Sequence, residues 1–145
     1  MTKNTLSTHE GITFRTAEFE KFQYDNISCN EQVLNFEPVK CNRICFLGSA
    51  EWGSFFEPVR FWNTKGEMDE VNLGLSNHAF EIIYDEKIAW MGKSVMMNDG
   101  EVIVYQPEAK IFFVSCEMSK EQEISRIQLP SCTNMHIFAI TLVFS

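Results

Sequence analysis

A mainly β fold, an antiparallel meander closing as a sandwich or barrel with one or two short helices, is what this sequence predicts; a mixed α+β arrangement is the alternative. Three observations predict it. Short runs rich in β-branched and aromatic residues follow one another through the second half of the chain, and turn formers such as Asn98-Asp99-Gly100 separate them. A hydrophobic fraction of 45%, with 13 phenylalanines, supplies a large core and argues against disorder. At 145 residues the chain is expected to form one domain, 1–145, with residues 1–11 as a flexible lead.

In chain order, Ile12–Arg15 reads as a strand, and Thr16–Gln23 as one or two helical turns or the strand's continuation. Gln32–Val39 and Asn42–Leu47 read as two strands. Pro38 points to an edge position for the first, because it cannot donate to a ladder. Asn63–Ser76 reads as a long exposed loop. Ala79–Tyr84 and Lys87–Met91 form an expected hairpin around Asp85-Glu86, with Phe80, Ile82 and Tyr84 on one face. Gly92 marks a bend, bulge or turn before Lys93–Met97. Asn98-Asp99-Gly100 is the strongest turn signal and pairs Ser94–Met97 with Glu101–Tyr105. Pro107-Glu108-Ala109 should then turn the chain into Lys110–Cys116, whose apolar Ile-Phe-Phe-Val run suits a strand covered on both faces. Ser119 and Gln122 have capping-box spacing, so a short helix carrying Ile124 and Ile127 is expected before Pro130. Met135–Phe144 reads as a last strand inside the sheet.

The densest aromatic stretch lies between Trp52 and Trp62. Trp52, Phe55, Phe56, Val59 and Trp62 fit one helix face, with Ser54 and Glu57 as a capping box and Pro58 in the first turn. Alternatively, Val59–Asn63 is a strand after an aromatic loop. An aromatic stripe of this kind is more often core than display. If displayed, Trp52, Phe55, Phe56, Arg60 and Trp62 would anchor a partner, with Glu67, Asp69 and Glu70 of the following acidic loop beside them.

Other motifs carry less chemistry. Leu47-Gly48-Ser49-Ala50 lacks the further glycines and the lysine of a phosphate-binding loop, so a plain turn is expected. Cys29, Cys41, Cys45, Cys116 and Cys132 form an odd, scattered set, which reads as reduced thiols in a reducing compartment. No metal site and no cofactor are expected from them. His9, His78 and His136 offer no nucleophile pairing fixed by spacing, and no Gly-x-Ser-x-Gly elbow occurs. His78, at the edge of the loop, is the histidine an enzyme would use. The carboxylate pairs Asp69-Glu70 and Asp85-Glu86 are expected to be solvated turns, not a glycosidase pair.

A formal charge of −8 disfavours nucleic acid as a partner. Met1–Gly11 has no secretory-signal pattern and Ile137–Phe144 is too short to span a bilayer as a helix, so a cytoplasmic protein with no membrane partner is expected. The favoured reading is a non-enzymatic, acidic interaction module that binds, and by binding inhibits, a protein partner of more basic character. Small-molecule or carbohydrate binding through an aromatic pocket with Trp52, Trp62 or Trp90 is one alternative, and a small enzyme using His78 is the other.

Overall fold

The computed structural model describes residues 4–17, 26–98 and 100–145. They form nine strands: β1 (Asn4–His9), β2 (Ile12–Ala17), β3 (Ile27–Asn30), β4 (Val33–Ala50), β5 (Phe55–Asn63), β6 (Met68–Leu75), β7 (Lys87–Asn98), β8 (Glu101–Gln128) and β9 (Ser131–Val143). β1 and β2 make a separate hairpin, so strand pairing reaches into the expected N-terminal lead. The other seven form one antiparallel sheet in the order β3-β9-β4-β8-β5-β6, with β7 also paired to β8. The mainly β expectation holds, and no described residue is helical.

Two long strands turn this single sheet into two layers. The first half of β4 pairs with Ile124–Gln128 of β8, which in turn pairs with β5, and β5 with β6. The second half of β4 lies between β9 and the Phe112–Glu117 part of β8, with β7 and β3 outside them. The bend between the halves falls where register is lost. Cys41 opposes Gln122 but Arg43 opposes Glu117, so four β8 residues, 118–121, bulge opposite Asn42. Bulges bend strands and sharpen their twist, which folds the two halves onto each other.

The interior between the layers explains the apolar runs. Ile44, Phe46 and Ala50 of β4 meet Val59 and Phe61 of β5, Leu73 and Leu75 of β6, and Ile124 and Ile127 of β8, all of them buried. Each such side chain contributes on the order of 2 kcal/mol by leaving water. Cys45 and Leu47 face the other way, into a smaller cluster with Phe113, Ala139 and Phe14 of the β1–β2 hairpin. This double cover is why Ile44–Ala50 is buried at every position. The Lys110–Cys116 strand is flanked by β7 and β4, as its apolar run predicts. The C-terminal strand, between β3 and β4, is likewise internal.

Several local expectations are overturned. The Ser119–Gln122 capping box heads no helix; Ser119 lies in the β8 bulge, where its hydroxyl donates to Asp69 Oδ2 at 2.9 Å, and Gln122 resumes the ladder opposite Cys41. Pro107–Ala109 does not turn the chain but forms another bulge, because Gly92 opposes Ala109 while Ser94 opposes Gln106. Gln32–Val39 and Asn42–Leu47 are one strand; Pro38 is accommodated where Asn35 opposes Arg126 and Val39 opposes Ile124, leaving the proline outside the ladder. Leu47–Ala50 is strand rather than turn, and a Cβ on Gly48 would stand 2.8 Å from the His136 carbonyl oxygen. Ala79–Tyr84 forms no strand, and Lys87–Met91 pairs with β8 instead. The Asn98–Glu101 hairpin forms as expected, with Gly100 at φ +82°; Asp99 lies outside the described residues. So does most of Thr16–Gln23, of which Thr16 and Ala17 end β2.

Candidate functional site

The aromatic segment is strand, so its side chains divide between faces instead of sharing one. Val59 and Phe61 are fully buried and Phe55 packs against the core, while Phe56 is 56% exposed and Arg60 also faces solvent. Trp62 is half-buried, with the Arg126 guanidinium 5.3 Å from its ring centroid. Trp52 precedes β5 in the bend after β4; it is 83% exposed and holds φ at +62°, a conformation that bulky residues rarely adopt.

The acidic residues do not form a long loop. A tight turn is organised by Asn63, whose Oδ1 accepts the Lys65 and Glu67 N–H groups at 2.9 and 3.0 Å. β6 begins at once, placing Asp69 and Glu70 on the last strand of the sheet. Glu70 lies opposite Arg60 with 3.7 Å between Oε2 and Nε, a half-exposed pair worth no more than about 1 kcal/mol. Glu67 stays exposed in the turn. Arg60 and Trp62 of β5 and Glu70 of β6 therefore share the outer face, with Phe56 further down the same strand; Glu67 lies in the turn, Asp69 opposes the buried Phe61 and projects to the other face, and Phe55 is withdrawn into the core.

Between β6 and β7 the chain makes a loop that the sequence reading missed. Glu86, expected in a solvated turn, is buried and organises it. Its carboxylate accepts the Ser76 N–H at 2.7 Å, the Ser76 hydroxyl at 3.0 Å and the Tyr84 N–H at 2.8 Å, and Ser76 Oγ accepts the Ile83 N–H at 2.8 Å. The Asn77 N–H donates to Ser54 Oγ, the Ala50 N–H to the Ser76 carbonyl and the His78 N–H to the Ala50 carbonyl, which ties the loop to β4. On this frame Phe80 is 68% and Ile83 63% exposed, with Ile82 also outward. Tyr84 lies over Gly74 and stacks obliquely on Phe56, ring centroids 5.5 Å apart, which joins the loop to the outer face of β5. Apolar exposure continues into β7 at Ile88, Trp90 and Met91. The only sequence signal for this surface was apolar density over 80–84, which reads equally as strand.

A polar cluster sits behind the loop. The His136 imidazole bridges Glu51 Oε1 at 3.0 Å and Asn26 Oδ1 at 2.8 Å. His78 Nδ1 is buried without a hydrogen-bond partner among the described residues. Burial lowers the His78 pKa below its ordinary value; Glu51 opposes that shift, and His136 and Lys110 add to it. No described Ser, Thr or Cys side chain is hydrogen-bonded to either imidazole, and no group of three described His, Cys, Asp or Glu residues is placed to hold a metal.

One groove of about 180 Å³ opens where β8 ends beside β5; Glu31, Glu57, Pro58, Arg60 and Gln128 line it, and no tryptophan does. No described helix is long and apolar enough to cross a membrane. Compared with known proteins, residues 3–145 match the family model described as the AziU2-like beta-sandwich domain. No curated protein matches the chain.

Proposed function

The chain belongs to the AziU2-like β-sandwich family, and we propose that on this scaffold it serves as a non-enzymatic interaction module that docks a protein partner through the 79–84 loop and the adjoining Phe56. The observation that carries the reading is a loop fixed from inside by Glu86 that nevertheless holds Phe80, Ile82 and Ile83 in solvent. A rigid apolar display incurs little ordering cost on binding, and contiguous apolar exposure on a small domain marks interaction surfaces. Trp52, in the bend that leads into β5, is a further exposed aromatic, and Arg60, Trp62 and Glu70 supply a polar rim on the outer side of β5 and β6. Glu81 and Asp85 within the loop, together with the net charge of −8, favour a partner whose contact site is basic around an apolar cleft. Occlusion of that cleft is the way such a module inhibits. Five free cysteines fit residence in the reducing cytoplasm.

Affinity capture from the native host, with wild type, Ile83→Asp and the rim control Lys65→Ala as baits, tests the reading. Wild type and Lys65→Ala should retain the same partner, and Ile83→Asp should bind it at least about tenfold more weakly. Equal recovery on all three baits, or no partner for a chain whose monomeric state is indifferent to salt, rejects it.

A further inference from the structure

Of the five cysteines, two are exact register partners on neighbouring strands. Cys29 of β3 lies directly opposite Cys132 of β9, immediately after a register shift at Ser28. Opposed residues of an antiparallel pair stand about 4.5–5.5 Å apart at Cα and project to the same face, within the ~4.4–6.8 Å a disulfide spans. Both belong to the same side of the sheet: Cys29 is part of the inner core and Cys132 packs against that core, half-buried and reachable from solvent. The remaining thiols are placed differently. Cys45 and Cys116 are near in register, but Cys45 opposes Ser115 and Ile44 opposes Cys116, so one thiol faces the outer cluster and the other the inner core. Cys41 is buried against Met118, its Sγ 3.7 Å from the thioether sulfur.

We propose that Cys29 and Cys132 form a reversible redox staple between β3 and β9, closed by a low-molecular-weight disulfide such as oxidised glutathione. The Cys132 thiolate attacks one glutathione sulfur, the S–S bond breaks, and the first glutathione leaves as thiolate and takes up a proton. Cys29, after releasing its proton to solvent, attacks the Cys132 sulfur of the mixed disulfide and expels the second glutathione. Two protein thiols are oxidised and one disulfide is reduced to two thiols. Burial, reinforced by Cys132, pushes the Cys29 thiol up to about 12, which makes the second step slow near neutrality and faster as pH rises. The closed staple fixes the four-residue strand β3 to an internal strand of the sheet and spans most of the chain, the loop length at which cross-links restrict the unfolded state most.

The native full-length chain incubated with oxidised glutathione, at about pH 7.4 and about pH 8.5, decides the matter. Expected are loss of two of its five thiols, faster at the higher pH, a Cys29–Cys132 cross-linked peptide in a non-reducing digest, and a Tm higher by about 5–10 °C that dithiothreitol reverses. Cys132→Ser, altering the half-exposed partner, should yield no cross-link, and Cys29→Ser should stop with one glutathione on Cys132. Retention of all five native thiols, a cross-link between any other pair, or a glutathione that persists on Cys132 of the unaltered protein overturns the proposal.

Discussion

Two side chains show how residues near one another in sequence reach opposite states. Glu86 is buried yet satisfied, because three donors within ten residues converge on its carboxylate, whereas Asp85 beside it is exposed at φ +62°. A carboxylate removed from water is tolerated only when its acceptor sites are filled. His78 is the opposite case, a half-buried imidazole whose Nδ1 finds no described partner. Its folded pKa lies below the ordinary 6.5, mainly through burial, with Glu51 opposing and His136 and Lys110 contributing. The unfolded chain then binds the proton more readily, so stability is complete above about pH 6.5 and falls as the pH drops below that value. Thermal melts at about pH 8 and about pH 5.5 should show a lower Tm at the acid end, and His78→Gln should narrow that difference. An identical difference in the variant would assign the pH dependence to other groups.

At the scale of elements, the long strands β4 and β8 matter more than any hairpin, since each serves both layers and bends at bulges. Two prolines and the false capping box all fall at these irregularities: Pro38, Pro107 and Ser119–Gln122 lie where the register slips. The local signals were therefore genuine markers of interrupted structure, but the interruption is a bulge rather than an edge, turn or helix. Gly48 marks where β9 crosses close to β4 at another slip, between Leu47 and Gly48. Gly48→Ala would force its Cβ against the His136 carbonyl and the Leu75 side chain, 2.8 and 3.0 Å away. A loss of about 1–3 kcal/mol in chemical denaturation is expected. A neutral result would mean that the β4–β9 crossing relaxes freely.

For the molecule as a whole, the acidic balance and the apolar loop make different contributions to association. Long-range charge sets encounter and the loop sets residence, so raising ionic strength from about 50 to about 500 mM should slow association with a basic partner by about tenfold and leave dissociation nearly unchanged. A salt-independent association rate would separate the net charge of −8 from recognition. The sequence by itself determined the β class, the Asn98–Glu101 hairpin, the doubly covered Lys110–Cys116 strand and the internal C-terminal strand, because alternation, turn chemistry and continuous apolarity act over a few neighbouring residues. It also marked Trp52, Phe55, Phe56, Arg60 and Trp62 as candidates, but not which of the 52–62 aromatics would face water, since that depended on whether the period was helical or extended. Only the tertiary structure decided that 79–84 is a displayed loop, that Glu86 is interior and that Cys29 faces Cys132. Glu86 is held by Ser76 and Tyr84 close by, but the pairing of Lys87–Met91 with β8 and of Cys29 with Cys132 rests on register between segments further apart in the chain, and one residue of slip would move every side chain of a strand to the other face.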